Sequence, residues 1–229
     1  MPTKRNPLEI EQTNDQSHTV VSSEYGEMYH SRFGAYTESD HVFIRKGLYD
    51  ILDSNKNAVN IFEMGFGTGL NAFLTAMVAN KSQTTIKYFT VEQIPLEKEL
   101  WSQLNYADFV AQEYSPLFDK LHAAPWNEWQ VIDPHFELYK ALGKLEALDW
   151  SNLKNIDLIY YDAFAPNAQP ELWEADVFEK IFGILTIGGL LCTYCAKGQV
   201  KRNLKAAGFE VESIPGPPGK REMTRAWKR

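Results

Sequence analysis

Residues 60–71 read NIFEMGFGTGLN, and this stretch decides the fold class of the chain. Its apolar first half is typical of a strand buried in a parallel sheet, so we predict a strand over residues 59–64. Three glycines follow at alternate positions, Gly65, Gly67 and Gly69. Glycines let the backbone pass close to a ligand before a helix begins. The stretch therefore predicts a strand, a ligand-binding turn and a helix in succession.

The spacing of these glycines distinguishes two kinds of cofactor. Dinucleotide folds favour G-x-G-x-x-G and place the pyrophosphate at the helix N-terminus. Here the third glycine comes one residue early, Leu70 stands where that pattern has Gly or Ala, and the Glu63 carboxylate would repel a pyrophosphate. The pattern E-x-G-x-G-x-G resembles instead the first motif of the class I methyltransferases, whose S-adenosylmethionine carries an ammonium and a sulfonium but no phosphate. A tight turn without any ligand is the alternative interpretation.

Length and composition narrow the class of protein. A chain of 229 residues can hold one large or two small domains, and α/β domains of this size commonly fold as one unit. No segment approaches the roughly 20 uninterrupted apolar residues that cross a bilayer, so we predict no membrane partner. Residues 1–18 are polar and lack the apolar core of a signal peptide. We therefore expect a polar leader and a cytoplasmic protein.

Two cysteines form a C-x-x-C pattern but do not predict a metal site. Cys192 and Cys195 lie within GGLLCTYCA, which alternates like a buried strand. Side chains three positions apart on a strand point to opposite faces, so neither a disulfide nor a zinc pair fits. There is no second cysteine pair, and the five histidines show no H-x-x-x-H spacing. We predict that the protein binds no metal.

Charge is distributed unevenly along the chain. The formal net charge of −7, taken globally, argues against a nucleic-acid partner. From Lys197 onward, however, nine lysines and arginines stand against three glutamates. Such asymmetry predicts a local anion-binding surface, although a solvated helix face and a basic terminus would give the same pattern.

Strand and helix signals alternate over most of the chain. Residues 19–50 mix β-prone residues with glycine and aromatics, which predicts a small β layer packed on a core of residues 51–229. Alternation in the core indicates parallel strands with crossover helices, a Rossmann-like α/β fold with a mostly parallel seven-stranded sheet. We expect strands at 59–64, 86–92, 135–142, 156–162, 190–196, 209–214 and 223–227, and helices at 70–80, 95–104, 117–129, 171–182 and 199–207.

Polar residues at the carboxyl ends of the strands carry the functional information, because open α/β folds bind their ligands there. Glu92 ends the second strand, about 20 residues or more after the glycine loop, where an acid commonly accepts hydrogen bonds from ribose hydroxyls. A surface glutamate at a strand end is the alternative. Gly143 follows the third strand, where we expect the adenine.

Asp162 ends the fourth strand in YYDAFAPNAQPELW. Apolar residues lead into the acid and Phe164 follows it, so the carboxylate should emerge at the mouth of the site beside an aromatic ring. An amine acceptor needs such a partner, since an alkylammonium with a pKa of about 10 has no lone pair at neutral pH. A carboxylate binds the ammonium and promotes transfer only if it takes the proton or passes it to water. The alternative for Asp162 is an acid that caps a helix or orders a loop.

Four ordered motifs extend over residues 25–227. They are YHSxxGAxxESxHVF from Tyr29, ExGFGTGLN from Glu63, DAFAP from Asp162 with Trp173 downstream, and KREM from Lys220. Together they resemble the tRNA 5-aminomethyl-2-thiouridine methyltransferases, known as the methyltransferase half of the bifunctional MnmC enzymes and as a stand-alone MnmD form.

The resemblance implies a class I fold with S-adenosylmethionine as cofactor. It implies transfer of the methyl group to the primary amine on the wobble uridine of certain tRNAs, giving the methylaminomethyl side chain. The anticodon loop of tRNA would be the partner, and the flavin-dependent oxidase half of the bifunctional enzymes is expected to be absent. The implied cofactor-binding residues are Glu63, Gly65, Phe66, Gly67, Thr68, Gly69, Asn71, Glu92, Gly143 and Asp162.

The same resemblance assigns roles around the acceptor. Asp162 is the implied catalytic acid near the acceptor nitrogen, and Lys220 and Arg221 would meet tRNA phosphates or the anticodon loop. Part of the set belongs to the N-terminal layer that would close over cofactor or acceptor. The implied substrate-binding residues are Tyr29, Glu38, His41, Phe164, Pro166, Lys220, Arg221 and Glu222.

One position departs from the family pattern. Relatives often carry Gly-Asp after the third strand, whereas Gly143 and Lys144 stand here. The usual acid near the adenine amino group is then missing, and Glu146, Asp149 or a main-chain carbonyl would have to replace it.

Two other functions fit part of the sequence. An aminopropyltransferase of the spermidine-synthase type shares the glycine loop, the strand-end acid and an amine acceptor. That enzyme class prefers further acids to hold a polyamine, so the basic C-terminal third argues against it. A nucleotide- or RNA-binding module without catalysis is the third possibility.

Overall fold

The structure, a computed structural model, describes residues 8–22, 26–54, 56–110 and 112–229. Residues 1–7 of the expected leader lie outside the described residues. In chain order the strands are β1 Leu8–Gln12, β2 His18–Ser22, β3 Glu27–Met28, β4 Ala58–Met64, β5 Thr85–Glu92, β6 Trp129–Asp133, β7 Phe136–Leu142, β8 Ile156–Tyr161, β9 Leu185–Thr193, β10 Glu210–Pro215 and β11 Glu222–Trp227.

The helices connect parallel strands or form part of the N-terminal region. Helix α3 follows the glycine loop and ends where Gln83 adopts a left-handed conformation, with φ of 56°. The helices are α1 Ala35–Ser39, a π-helical stretch Asp40–Leu48, α2 Tyr49–Leu52, α3 Leu70–Ser82, α4 Lys98–Trp101, α5 Tyr106–Val110, α6 Ser115–Ala123, α7 Ala175–Ile184 and α8 Gly198–Ala206.

The main sheet confirms the predicted α/β architecture. Its strand order is β10-β11-β9-β8-β4-β5-β7-β6, with β9, β8, β4, β5 and β7 parallel and the outer strands antiparallel. Strand β4 lies between β5 and β8, so the chain passes from β4 to one side of the sheet with β5 and returns to the other side of β4 with β8. This arrangement leaves a crevice at the carboxyl ends of β4, β5 and β8, where open α/β sheets bind ligands.

The main sheet has eight strands in the described residues, not the expected seven. The additional strand β6 begins at Trp129, where the expectation of a helix over 117–129 was wrong. Helix α6 ends at Ala123 because Pro125 forces the preceding Ala124 into an extended conformation, with ψ of 134°. The helix expected over 95–104 is also shorter, since only α4 is regular there.

The N-terminal region contains the expected small β layer, an antiparallel sheet of β1, β2 and β3, but this sheet begins earlier than expected. Strand β1 lies within the segment expected to be a polar leader, where it pairs antiparallel with β2. Asp15 stabilises the turn between them by accepting hydrogen bonds from Ser17. Residues 42–44 are buried in the π-helical stretch, which packs on β8 and β9. The division into leader, layer and core stays a prediction.

Two apolar clusters cover the two faces of the main sheet. One contains residues of α3, α6 and the N-terminal helices, and the other contains residues of α7 and α8. We call β1 to α2 the N-terminal cover, because its segment around residues 27–38 lies over the crevice. Among the described residues, no helix combines the length and apolar character that a membrane span requires.

Candidate active site

A cavity of about 900 Å³ opens at the carboxyl ends of β4, β5, β7 and β8, under the N-terminal cover. Twelve residues of the expected site line it, so the sequence pattern brings together most of the groups it singled out. These residues are Tyr29, Glu38, Gly65, Phe66, Gly67, Thr68, Asn71, Glu92, Gly143, Asp162, Phe164 and Lys220.

The glycine loop between β4 and α3 forms the floor of the cavity. Gly67 and Gly69 adopt φ values of 52° and 73°, in the left-handed region that side chains other than glycine disfavour. A Cβ at Gly67 would lie 3.3 Å from the Tyr29 ring, and one at Gly69 would lie 2.8 Å from His122 Nε2. The loop therefore needs glycine both for its conformation and for its close neighbours.

His122 stabilises the glycine loop by a hydrogen bond to its backbone. Its Nε2 lies 3.1 Å from the Thr68 carbonyl oxygen, and its ring stacks on Trp101 with centroids 4.6 Å apart. Burial lowers the pKa of His122 to about 3, so the ring is neutral at physiological pH. Because a carbonyl only accepts, the proton of the neutral ring lies on Nε2.

Lys140 supports the loop from the adjacent strand. Its side chain is buried, and Nζ donates hydrogen bonds to the carbonyls of Leu121 and His122 at 2.9 and 2.8 Å. The same Nζ lies 5.1 Å from the centroid of the Phe66 ring. Burial lowers the pKa of Lys140 to about 8. The ammonium thus caps the C-terminal end of α6 and contacts the aromatic residue of the glycine loop.

Glu92 lines the cavity at the end of β5, as the ribose interpretation requires. Its Oε2 accepts a hydrogen bond from the Gly67 N–H at 3.0 Å, and its Oε1 accepts one from the Ile94 N–H at 2.8 Å. Each oxygen keeps a second lone pair for another donor. The carboxylate therefore links the strand to the glycine loop, and contact with a ribose stays a prediction.

Glu63 occupies a different place from the one expected. Glu63 was expected to bind the cofactor, but it is fully buried and does not line the cavity. Burial raises the pKa of Glu63 well above its usual value, with a further contribution from Asp162. Burial opposes the charge that would repel a pyrophosphate, and the expected role of Glu63 in the choice of cofactor stays a prediction.

Asp162 lies at the centre of the cavity wall. Its Oδ2 accepts a hydrogen bond from Asn71 Nδ2 at 2.9 Å. Burial and the nearby Glu38 carboxylate raise the pKa of Asp162 to about 7, against the opposing effects of Asn71 and Lys220. A carboxyl group with this pKa exchanges a proton near neutrality, as an acid or base in catalysis must.

The end of the cavity beside Asp162 carries an ion pair. Lys220 Nζ lies 2.5 Å from Glu38 Oε1 and 3.9 Å from the centroid of the Tyr194 ring. Glu38 Oε2 also accepts a hydrogen bond from the Ser31 N–H at 2.7 Å. We call the wall formed by Glu38, Asp162, Tyr194 and Lys220 the acceptor end. The ammonium of Lys220 is engaged inside the cavity, and its contact with tRNA phosphates or the anticodon loop stays a prediction.

Two aromatic rings separate the acceptor end from the glycine loop. Tyr29 of the N-terminal cover and Phe164 after β8 meet edge to face, with centroids 5.1 Å apart. Tyr29 also lies against Gly67. The pair offers flat apolar surface next to Asp162, which suits a planar base.

Six expected site residues do not line the cavity. His41 Nε2 bonds instead with the Pro215 carbonyl oxygen at 3.0 Å, joining the π-helical stretch to β10. Glu222 forms an ion pair with Lys201 on the neighbouring helix. The family motifs therefore include residues that hold the cavity together as well as residues that line it. The six are His41, Glu63, Gly69, Pro166, Arg221 and Glu222.

The structure also separates the two acids, Glu146 and Asp149, that were expected near the adenine after β7. Gly143, Lys144, Leu145 and Glu146 line the cavity after β7. Asp149 does not, because it caps the turn at Ser151 through its Oδ1. Of the two acids that could replace the missing family acid, the structure leaves Glu146 beside the cavity.

Two residues of the cavity wall, Tyr194 and His30, were not predicted as site residues. Tyr194 donates a hydrogen bond to the Ala163 carbonyl oxygen at 2.9 Å and lies under Lys220. His30 lies 3.5 Å from Thr68 Oγ1, and burial lowers its pKa to about 4. Tyr194 stands between the two cysteines of the C-x-x-C pattern. Its position near the carboxyl end of a predicted strand is the feature of the sequence that could have indicated a site residue. Both cysteines are buried and free.

Comparison with known proteins shows what the chain resembles. A family model for S-adenosyl-L-methionine-dependent methyltransferases matches residues 131–229. The chain is 32% identical over 223 residues to the tRNA 5-methylaminomethyl-2-thiouridine biosynthesis bifunctional protein MnmC of Cupriavidus metallidurans, covering 91% of this chain and 32% of that protein. This chain is therefore similar over nearly its whole length to a part of the MnmC proteins. It spans about a third of the length of the curated relatives that it matches.

Solved structures share the fold of this methyltransferase. The crystal structure of MNMC2 from Aquifex aeolicus superimposes with a TM-score of 0.78 at 24% identity, covering 99% of this chain and 72% of that one. CalS10, an amino pentose methyltransferase from Micromonospora echinaspora solved with its cofactor bound, gives a TM-score of 0.50 at 12% identity, covering 86% and 93%. These similarities agree with an α/β methyltransferase architecture.

The cavity fits the cofactor of the family. The glycine loop lies open along one wall, Glu92 ends β5 with lone pairs to spare, and Gly143 opens the region after β7. Glu38, Glu92 and Asp162 line the cavity and offer partners for a cationic ligand, although Arg32, Lys144 and Lys220 also line it. Among the described residues, no group of three His, Cys, Asp or Glu side chains is arranged to hold a metal ion.

Proposed function

We propose that this methyltransferase transfers a methyl group from S-adenosylmethionine to the primary amine of the aminomethyl group on the wobble uridine of tRNA. The relatives that share 31 to 32% of its residues carry the name of tRNA 5-methylaminomethyl-2-thiouridine biosynthesis proteins. Because the chain spans about a third of those proteins, the acceptor must be argued from the site itself.

The observation that carries the proposal is the position of Asp162. Its carboxyl group lies at the junction of the glycine loop, the aromatic pair and the acceptor end, and its pKa is raised to about 7. An incoming alkylammonium meets a group that binds it while ionised and then holds its proton. This chemistry suits an amine acceptor, which must lose a proton before its lone pair can attack.

The neighbouring residues place the acceptor. Tyr29 and Phe164 would hold the uracil ring, which costs little to unstack in an anticodon loop. The Glu38 carboxylate adds negative potential on the same side as Asp162. With the base lying against this pair of rings, the aminomethyl group would extend toward Asp162. Placement supplies most of the rate enhancement, since a correctly aligned amine reacts as if at very high concentration.

The cofactor would be held by the glycine loop, Glu92 and the residues after β7. When bound, S-adenosylmethionine supplies an electrophilic methyl group on a sulfonium that is a good leaving group. The protein contributes the binding surface, the exclusion of water under the N-terminal cover, and the proton acceptor at Asp162.

The acceptor tRNA would approach the rim of the cavity beside α8 and the turn before β11. Several basic residues expected to contact phosphate are paired inside the protein, among them Arg225 with Asp50 and Glu212. Arg202, Lys205 and Arg221 remain exposed and are the residues that we propose for phosphate contact. We also propose a cytoplasmic location, where tRNA is modified.

Mass spectrometry of tRNA nucleosides tests this function. Purified protein and labelled S-adenosylmethionine are incubated with tRNA from a modification-deficient strain, and the labelled methylaminomethyl nucleoside is expected. Asp162→Asn should lower the rate by about 10²- to 10⁴-fold, the usual contribution of an acid or base, while the demethylated cofactor still binds in calorimetry. Labelling of another nucleoside, or an unchanged rate in Asp162→Asn, would reject the proposal.

A parallel incubation with putrescine and the decarboxylated cofactor tests the aminopropyl alternative. We expect no product, because the acceptor end pairs its Glu38 carboxylate with Lys220 and so offers fewer free acids to a polyamine. Formation of an aminopropylated amine would favour that enzyme class over the methyltransferase.

A further inference from the structure

Five buried polar atoms cluster beneath the acceptor end without hydrogen-bond partners. Within the residues that the structure describes, none of them has a partner in strict hydrogen-bond geometry, although Thr90, Tyr88 and Asn71 lie close enough to Glu63 to act on its pKa. Because an unpaired buried polar group costs on the order of 1–3 kcal/mol, such a cluster calls for a physical explanation. The atoms are both carboxyl oxygens of Glu63, the Asn71 amide oxygen, the Tyr88 hydroxyl and the Thr90 hydroxyl.

The cluster lies at the junction of β4, β5 and α3. Glu63 pairs with Thr90 in the register of the parallel strands, and its carboxyl group faces the side chains of Tyr88, Thr90 and Asn71. Glu63, Tyr88 and Thr90 have no exposed surface, and Asn71 is 4% exposed. The four side chains therefore have to satisfy one another.

Asn71 connects this cluster to Asp162. Its Nδ2 donates to Asp162 Oδ2 at 2.9 Å, while its Oδ1 is one of the unpaired atoms. The amide can donate to Asp162 only if its oxygen points away from that carboxylate, toward Glu63. The orientation of the Asn71 amide thus depends on whether the Glu63 carboxyl group can donate a hydrogen bond to Asn71 Oδ1.

Counting donors and acceptors decides the protonation state of Glu63. The hydroxyls of Tyr88 and Thr90 can each donate to one carboxyl oxygen of Glu63. Asn71 Oδ1 then still needs a donor, and an ionised carboxylate has none to give. One proton on the other Glu63 oxygen supplies it, so that all five atoms gain a partner. Burial without a cationic partner acts in the same direction, since it raises the pKa of Glu63.

We propose that Glu63 is a protonated positioning residue, whose hydroxyl donates to Asn71 Oδ1 and so holds the Asn71 amide in the orientation that stabilises the Asp162 carboxylate. This inference rests on the proposed role of Asp162 as proton acceptor. It replaces the expected role of Glu63 in binding the cofactor. The chain Glu63, Asn71, Asp162 then extends from the interior of the sheet to the reacting amine.

Other charged and titratable groups also act on Asp162, and the effect of Glu63 must be separated from theirs. Glu38 raises and Lys220 lowers the pKa of Asp162 from the side of the cavity. Burial is the largest cause of its shift. The titratable groups that face Asp162 are Glu38 of α1, Lys220 before β11, Tyr194 after β9, Tyr88 of β5 and Glu63 of β4.

A pair of substitutions at Glu63 isolates its hydrogen bond. Glu63→Gln keeps a donor for Asn71 and an acceptor for the hydroxyls but cannot ionise, whereas Glu63→Leu removes both. We expect Glu63→Gln to retain the rate, the affinity for the demethylated cofactor and the midpoint of the pH profile. Glu63→Leu should move that midpoint upward by about one pH unit, because Asp162 loses a hydrogen bond to its charged form, and lower the rate at pH 6 about tenfold.

Two results would overturn the proposal. An equal loss of cofactor affinity in Glu63→Gln and Glu63→Leu means that Glu63 acts as an anion toward the ligand. An unshifted pH profile in a folded Glu63→Leu protein means that it does not orient Asn71.

Infrared difference spectroscopy reads the protonation state without any turnover. The spectrum of the wild type minus that of Glu63→Gln should show the band of a protonated carboxyl group up to pH 8. A carboxylate band in its place contradicts the proposal, even if Glu63→Leu does not fold. Absence of methylated tRNA with the wild type would reject the proposed function and leave this infrared result standing.

Discussion

Lys220 and Glu38 form an ion pair at 2.5 Å across 182 positions of the chain. The Glu38 side chain is only 8% exposed, and its second oxygen is held by the Ser31 N–H. The bond connects the N-terminal cover to the turn before β11 and closes the acceptor end. The basic KREM motif therefore contributes one residue to the interior of the site and places its neighbour Arg221 on the surface.

Substitution of these two neighbours should have different effects. Lys220→Met leaves the Glu38 carboxylate buried without its partner, which should lower the free energy of unfolding by about 2 kcal/mol and impair methyl transfer. Arg221→Met should change the free energy of unfolding by less than about 0.5 kcal/mol. It should reduce the slope of log K for tRNA binding against log salt concentration by about one. Chemical denaturation and titrations at several salt concentrations measure both effects. A smaller salt slope in Lys220→Met alone would contradict this division.

The pH dependence of methyl transfer should follow Asp162. Burial raises the pKa of this carboxyl group to about 7, so it is protonated below that pH and cannot accept the proton of the amine. We expect kcat/KM to rise about tenfold per pH unit below pH 7 and to level off above it. Single-turnover rates between pH 5.5 and 8.5 give the profile. If the rate of Asp162→Asn rises with pH in the same way below pH 7, the titration belongs to another group.

Tyr29 should contribute to acceptor binding through its ring. Tyr29→Ala removes the edge-to-face partner of Phe164 and should weaken tRNA binding by about 1–3 kcal/mol, the usual value of an aromatic stacking surface for one base. Tyr29→Phe keeps the ring and should bind within about twofold of the wild type. Fluorescence titration with an anticodon stem-loop compares the two variants. Equal losses in both would point to the hydroxyl instead.

His122 should control the shape of the glycine loop from outside the cavity. His122→Phe keeps a ring on Trp101 but leaves the Thr68 carbonyl without its donor, so we expect a loss of stability of about 1–3 kcal/mol. The affinity for the demethylated cofactor should fall with it, because the loop is no longer fixed. His122→Gln retains an N–H and should recover part of both. Calorimetry and thermal unfolding distinguish these outcomes.

Local signals in the sequence predicted the centre of the fold. The apolar run of β4, the alternate glycines and the acids at the ends of β5 and β8 are adjacent in sequence to the elements they define. Strand β6 was missed because the boundary after α6 depends on Pro125 and on pairing with β7. The π-helical stretch that contains the apolar residues 42–44 was not predicted, because a buried helix and a buried strand have the same apolar pattern over three residues.

The side-chain environment of the site was less predictable than its backbone. In a strand buried on both faces, sequence does not show which face a polar residue occupies, so Glu63 was assigned to the ligand. Its partners Tyr88 and Asn71 come from other elements. The engagement of Lys220 likewise depends on Glu38, which lies far away in the chain.

The contact between His41 and Pro215, together with the Glu38 ion pair, also bears on how the enzyme is made. A growing polypeptide that has left the ribosome only as far as β9 can pair its central strands but lacks Lys220 and Pro215. Contacts of such long sequence separation form late in folding. The acceptor end should therefore be complete only after translation has passed Lys220.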